Sequence, residues 1–76
     1  MQLARRSYLL PRREIGVLRF LLEGYDGLGF ARTLDAAQGL VEIAWPAERS
    51  AEMEGVLEAL CRELGMTVAT PRAPGG

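Results

Sequence analysis

Few side chains in this sequence can do chemistry near neutral pH. There is no histidine and a single cysteine, Cys61, so the titratable candidates reduce to carboxylates, Tyr8, Tyr25 and that one thiol. General acid–base and nucleophilic catalysis both need a group poised near neutrality. Cys61 falls in register with Met53, Val56, Leu57, Leu60 and Leu64, on the apolar stripe of a helix and far from its N-terminus. That is the setting of an inert thiol. One cysteine also excludes a disulfide framework, and without histidine it excludes a soft-ligand metal site. The chain is expected not to be an enzyme, with no metal and no cofactor.

Arginine is the other chemical resource. All nine basic residues are Arg, Asn is absent, and the charge is split: residues 1–32 are net positive and the remainder net negative. Such a composition fits a thermophile or a GC-rich genome. Arg5, Arg6, Arg12 and Arg13 could together clamp phosphates at the start of a helix, which makes an RNA- or nucleotide-binding protein one reading. Against it, RNA-recognition modules of comparable topology stack bases on aromatics of two central strands, and Tyr8 is the only aromatic on the first strand. Gly24-Tyr25-Asp26-Gly27-Leu28-Gly29 resembles a phosphate loop only superficially, because it leaves a helix and enters a strand. It reads as a helix cap and tight turn, or as a ligand contact built from Tyr25 and Asp26. The candidate ligand-binding residues are therefore Arg12, Arg13, Tyr25 and Asp26.

The elements that must position these residues follow from periodicity. Residues 7–10 read as a strand stopped by Pro11, which opens a helix over 11–23. Ile15, Val17, Leu18, Leu21 and Leu22 share one arc of that helix, and Gly24 is placed to end it in a left-handed cap. Residues 28–35 and 40–45 read as two strands around the loop Asp35-Ala36-Ala37-Gln38-Gly39. A register of Phe30 with Ala44, Ala31 with Ile43, Arg32 with Glu42, Thr33 with Val41 and Leu34 with Leu40 sets Arg32 across from Glu42. A second helix runs from Glu48 or Ser50 to Leu64, capped by Gly65 with Met66 folding back, and residues 66–70 make a last strand. Residues 1–70 form one domain, and 71–76 read as a flexible tail. No apolar run approaches the ~18–20 residues that span a bilayer, and no secretory h-region is present, so the expected compartment is the cytoplasm.

The order strand, helix, strand, strand, helix, strand gives an α+β, ferredoxin-like βαββαβ sandwich with sheet order 4-1-3-2 and both helices on one face. Val41, Ile43 and Trp45 then face the helices. The opposite face is expected to show Leu28, Phe30, Leu34, Leu40 and Ala44 around the Arg32–Glu42 pair. A contiguous apolar patch on one side of a sheet marks a contact surface. A domain this small is marginal alone, so a homodimer or higher oligomer through that face is the expected partner.

The segments Pro11-Arg12-Arg13-Glu14-Ile15, Leu22-Glu23-Gly24-Tyr25-Asp26-Gly27-Leu28, Arg32-Thr33-Leu34-Asp35 and Gly39-Leu40-Val41-Glu42 together are similar to a family of small stand-alone bacterial domains of unknown function, themselves expected to be ACT-like. The resemblance covers about residues 7 to 70. It implies a non-enzymatic regulatory domain that binds a small effector or a partner protein. ACT domains usually bind effectors at dimer interfaces near the turn from first strand to first helix, which here reads Leu10-Pro11-Arg12-Arg13.

Overall fold

The computed structural model describes residues 2–25 and 27–69. Strand β1 (Leu3–Leu9) leads through a 3-10 turn, Arg12–Glu14, into helix α1 (Ile15–Glu23). Strands β2 (Phe30–Asp35) and β3 (Leu40–Pro46) form a hairpin. A second 3-10 turn, Ala47–Arg49, precedes helix α2 (Ser50–Leu64), and β4 (Thr67–Val68) ends the fold. The protein is α+β: one four-stranded antiparallel sheet, order β2-β3-β1-β4, with two helices. That order is the expected one read from the opposite edge.

Alternation along the central strands sorts the side chains. Tyr8 from β1 and Val41, Ile43 and Trp45 from β3 are buried with Leu18 and Leu22 of α1 and Met53, Leu57, Leu60 and Leu64 of α2. Both helices therefore cover the same face of the sheet. The Trp45 indole N–H donates to Ser50 Oγ at 2.9 Å, and that hydroxyl donates to the Ala47 carbonyl at 2.8 Å, so the buried indole is satisfied while α2 is being started. The loop that joins β2 to β3 is held by the Gln38 N–H on Asp35 Oδ1 (3.2 Å). Its Gly39 has φ +71°, and the Gly39 carbonyl accepts from the Leu10 N–H at 3.0 Å, which fastens the hairpin to the end of β1.

Several expectations are corrected. Leu28 does not lie on the open face: it is 3% exposed and belongs to the core, because β2 begins only at Phe30 and the preceding turn tucks Leu28 under the helices. Ala44 is on the open side but only 2% exposed, since its small side chain sits between Arg5 and Phe30, its register partners on either strand. Leu34 does not face Leu40. A bulge between Thr33 and Asp35 puts Asp35 opposite Leu40, while the other four pairs stand as expected. Gly24 ends α1 with right-handed dihedrals (φ −72°), and among the described residues the positive-φ glycines are Gly27, Gly39 and Gly65. Val17 is exposed rather than buried, as is Phe20 at 73%. β1 begins four residues earlier than expected and β4 is only two residues long. The tail 71–76 lies outside the described residues.

Two glycines give opposite expectations. A Cβ on Gly39 would collide with the Leu10 carbonyl oxygen and would hold a non-glycine residue at positive φ, so Gly39→Ala is expected to destabilise by at least ~2 kcal/mol. Gly55 lies within α2, where a Cβ meets nothing within 4 Å, so Gly55→Ala is expected to stabilise by ~0.5–1 kcal/mol. Urea unfolding of the two variants beside the parent chain checks both signs.

Candidate functional site

The face of the sheet that the helices leave uncovered has a charged centre and apolar ends. A period of two sends Leu3, Arg5, Ser7 and Leu9 of β1 to that side, with Leu40, Glu42 and Ala44 of β3 and Phe30 and Arg32 of β2. Glu42 takes Arg5 at 3.4 Å and Arg32 at 3.1 Å, and its own side chain is only 18% exposed. One carboxylate thus holds two guanidinium groups, which leaves the centre with a net positive charge. Around it Leu3, Leu9, Phe30 and Leu34 are exposed, Phe30 at 55%. The Arg32–Glu42 pair is the one expected from the sequence; Arg5, Leu3 and Leu9 are additions that come from the longer β1. Alternation read from Leu3 onward would have found all three.

Arg6 faces the other way. Its guanidinium makes a two-pronged bond to Glu54 of α2 (3.0 and 2.7 Å), donates to the Tyr8 hydroxyl at 3.3 Å, and lies 5.5 Å from the centre of the Trp45 ring. Planar pairing with a carboxylate and stacking on an indole are both geometries that suit arginine. The bond to Glu54 raises the Arg6 pKa further above its already high value, and Arg6 in turn lowers that of Glu54. Burial pushes the Tyr8 phenol up, against the pull of Arg6, and burial also pushes the Cys61 thiol up. Cys61 is thus held as a thiol at neutral pH. It lines a groove between α2 and the β1–β4 edge together with Arg6, Tyr8, Glu54, Glu58 and Val68.

The four arginines of the N-terminal cluster are not brought together. Arg5 and Arg6 leave opposite faces of the sheet, each with a carboxylate partner. Arg12 and Arg13 are exposed on the 3-10 turn before α1, where they line an open concavity with Pro11, Ile15 and Ala36 of the hairpin loop. Arg13 lies 3.7 Å from Glu14. Tyr25 is exposed just beyond the other end of α1, on the order of 15 Å from Arg12 at the rise of a helix. Arg12 and Arg13 therefore form one group and Tyr25 stands apart. Asp26 lies outside the described residues.

A family model described as Domain of unknown function (DUF4911) matches residues 8–64. The chain belongs to that family. The DUF4911 match runs from Tyr8 through the end of α2, so it takes in Glu42, Glu54 and the Arg12–Arg13 turn. Arg5, Arg6 and β4 lie outside it. No curated protein and no solved structure matches the chain. Among the described residues no helix is long and apolar enough to cross a membrane, and no group of His, Cys, Asp or Glu side chains could hold a metal ion.

The Arg6–Glu54 bond makes stability depend on acid pH. Glu54 is lowered from 4.5 in the folded chain. A depressed carboxylate contributes stability that is present above the unfolded value and is lost as pH falls through the folded one. The melting temperature is expected to fall from pH 6 to pH 3, and the gap between the parent chain and Glu54→Gln to close over that interval. Tyr8 acts at the other extreme. Its raised pKa keeps the phenol protonated longer in the fold than in the unfolded chain, so its contribution is lost as pH rises above about 10. Thermal melts across both intervals check the two limbs.

Proposed function

We propose that this chain is a non-enzymatic interaction domain of ferredoxin-like, ACT-like kind that self-associates through the open face of its sheet. The observation that carries this reading is the ring of exposed Leu3, Leu9, Phe30 and Leu34 around the Arg5–Glu42–Arg32 centre. Apolar side chains on an uncovered sheet lose their water contact when a second layer covers them, at roughly 25 cal/mol per Å2 before association costs. A second copy supplies that layer. In a two-fold arrangement the same patch meets itself, and each Glu42 gains access to the guanidinium groups of the other copy. The chemistry of the interior supports the non-enzymatic half. The thiol and the buried phenol are both raised by burial, away from the range in which they could act as nucleophile or base.

The effector half of the reading rests on Arg12 and Arg13 at the mouth of the open concavity, where two exposed guanidinium groups, that of Arg13 also 3.7 Å from Glu14, suit a small carboxylate or phosphate. Thermal shifts against pooled amino acids, nucleotides and short RNA separate this from the nucleic-acid alternative. A rise with small anions alone favours the effector, and one with RNA alone favours the alternative.

Self-association is tested by sedimentation from micromolar to millimolar concentration. The expected result is reversible dimerisation that weakens by about tenfold or more in Leu34→Arg, which adds charge to the apolar rim without touching the core. A single 8.3 kDa species throughout overturns the reading.

A further inference from the structure

Helix α1 carries a large apolar side chain on the side that faces away from the sheet. At roughly 100° per residue, Phe20 lies opposite Leu18 and Leu22, the two residues that the helix buries. It is 73% exposed, the highest value among the large apolar side chains described. Gly16, one turn earlier on the same row, is exposed, and a Cβ there would meet nothing within 4 Å. Val17 is exposed beside it. A ring and a bare glycine four residues apart are the ridge and the hollow by which helices pack on one another.

The charges at the two ends of α1 are set against its own dipole. Arg12 and Arg13 stand before the positive end, with Glu14 as the one acid beside them, and Glu23 closes the negative end. Arg13 reaches Glu14 only at 3.7 Å, and its side chain is 82% exposed. Glu23 has no ion-pair partner among the described residues. Helix α2 does not answer them. Arg13 borders Ala36 and Glu23 borders Phe30 and Ala31, all on the β2–β3 side, whereas α2 lines the groove at the β1–β4 edge. A helix running the opposite way past this face would offer each charge the dipole end it lacks.

We propose that the outer face of α1 packs on the same face of a second copy, antiparallel, about a two-fold axis level with Leu18. Gly16 and Phe20 lie equally far either side of that level, and so do Arg13 and Glu23. The axis therefore sets Phe20 of each copy over the partner's Gly16 and brings Arg13 of each to the partner's Glu23. Each charge then stands at the end of the neighbouring helix that the macrodipole favours. Parallel copies would instead set Arg13 beside Arg13 and Glu23 beside Glu23, which like-charge repulsion opposes. Rows of period four pack at about 50°, so the helices cross, and the acid-rich outer side of α2 is not laid along its own copy. The two sheets stay on the outside of the pair and do not join. The contact lies on the opposite side of the molecule from the uncovered sheet face, so the two can coexist in a higher oligomer or occur separately.

The test uses the full chain in sedimentation equilibrium up to millimolar concentration, with thermal melts of the dilute chain as the check on folding. Phe20→Ser removes a ring that the single chain leaves in water, so the dilute melting temperature is expected to hold while association weakens by about tenfold or more. Gly16→Leu fills the hollow. It replaces a poor helix former where the side chain has room, so the dilute chain is expected to melt no lower, yet association is expected to weaken by about tenfold. Association lost without stability lost is a result that general destabilisation does not produce. Arg13→Glu is expected to weaken association several-fold, and Arg13→Glu with Glu23→Arg to restore it to within about twofold of the parent chain. The swapped charges suit the dipole of α1, so the double variant folds. Undiminished association in Phe20→Ser or in Gly16→Leu, a double swap that restores nothing, or a parent chain that stays monomeric throughout overturns the α1 contact. Leu34→Arg keeps the two surfaces apart: association lost there but kept in Phe20→Ser overturns the α1 contact and supports the sheet face, and the reverse result supports the α1 contact and overturns the face.

Discussion

Val41, Ile43 and Trp45 leave β3 on one side, Leu40, Glu42 and Ala44 on the other. Because β3 is paired along both of its edges, neither set can change sides without moving β1 and β2 as well. A slip by one residue would put Glu42 under the helices and Trp45 in water. The cost of burying an unpaired carboxylate is several kcal/mol or more, enough by itself to forbid the alternative. This one strand therefore fixes which face the helices cover. It also fixes where Arg5 and Arg32 find their shared carboxylate, and which residues remain on the uncovered side.

The same alternation explains why two adjacent arginines do unrelated things. Arg5 and Arg6 are neighbours in sequence and sit on opposite faces of β1. Arg5 meets Glu42 across the sheet, whereas Arg6 is drawn against Trp45 and up to Glu54 on α2. Arg6 thus ties the strand layer to the helix layer at a point where the aromatic ring supplies packing and the carboxylate supplies charge. The Glu54 end of that tie is 53% exposed and screened by solvent, so the ion pair itself contributes modestly and the packing of Arg6 against the ring carries the rest. A basic stretch that looks in sequence like a phosphate clamp is, in three dimensions, two separate structural contacts and one exposed pair.

Much of this was legible in the residues. The period of two that sets Val41, Ile43 and Trp45 on one face and the i, i+3, i+4 recurrence from Met53 to Leu64 identified β3 and α2. A register drawn from Leu34 opposite Leu40 already set Arg32 across from Glu42, a pair that stands although its starting point does not. The errors have local physical causes. Leu28 alternates correctly with Phe30, but alternation holds only inside a strand. At Leu28 the chain is still turning, so the side chain goes to the core. Val17 lies on the margin of the α1 arc, and an arc read from sequence does not show how far the sheet extends beneath the helix. The bulge at Leu34 is invisible in composition: it shows only in the pairing, where Asp35 rather than Leu34 stands opposite Leu40. Arg6–Glu54 spans 48 residues, a separation at which sequence spacing carries no information about contact. Of the site candidates, Arg12 and Arg13 were adjacent in sequence and remain so in space. Tyr25 was grouped with them by chemistry and is separated from them by the length of a helix.

Size gives these surfaces their significance. A chain of 76 residues buries roughly 60% of the surface it exposes when unfolded, and its core is a single layer between one sheet and two helices. Larger one-sided sheets can leave their outer face polar, because the other face supplies enough apolar burial. Here the outer face keeps Leu3, Leu9, Phe30 and Leu34, residues whose remaining exposed area adds nothing to the monomer. They also carry a standing risk of non-specific association. The charged centre limits that risk. Covering Glu42 and its two arginines with an unmatched apolar surface would strip water from three charges, so only a partner that offers compensating charge at the same position can approach closely. On the face proposed for self-association, apolar area supplies the attraction and a small set of charges decides what may use it.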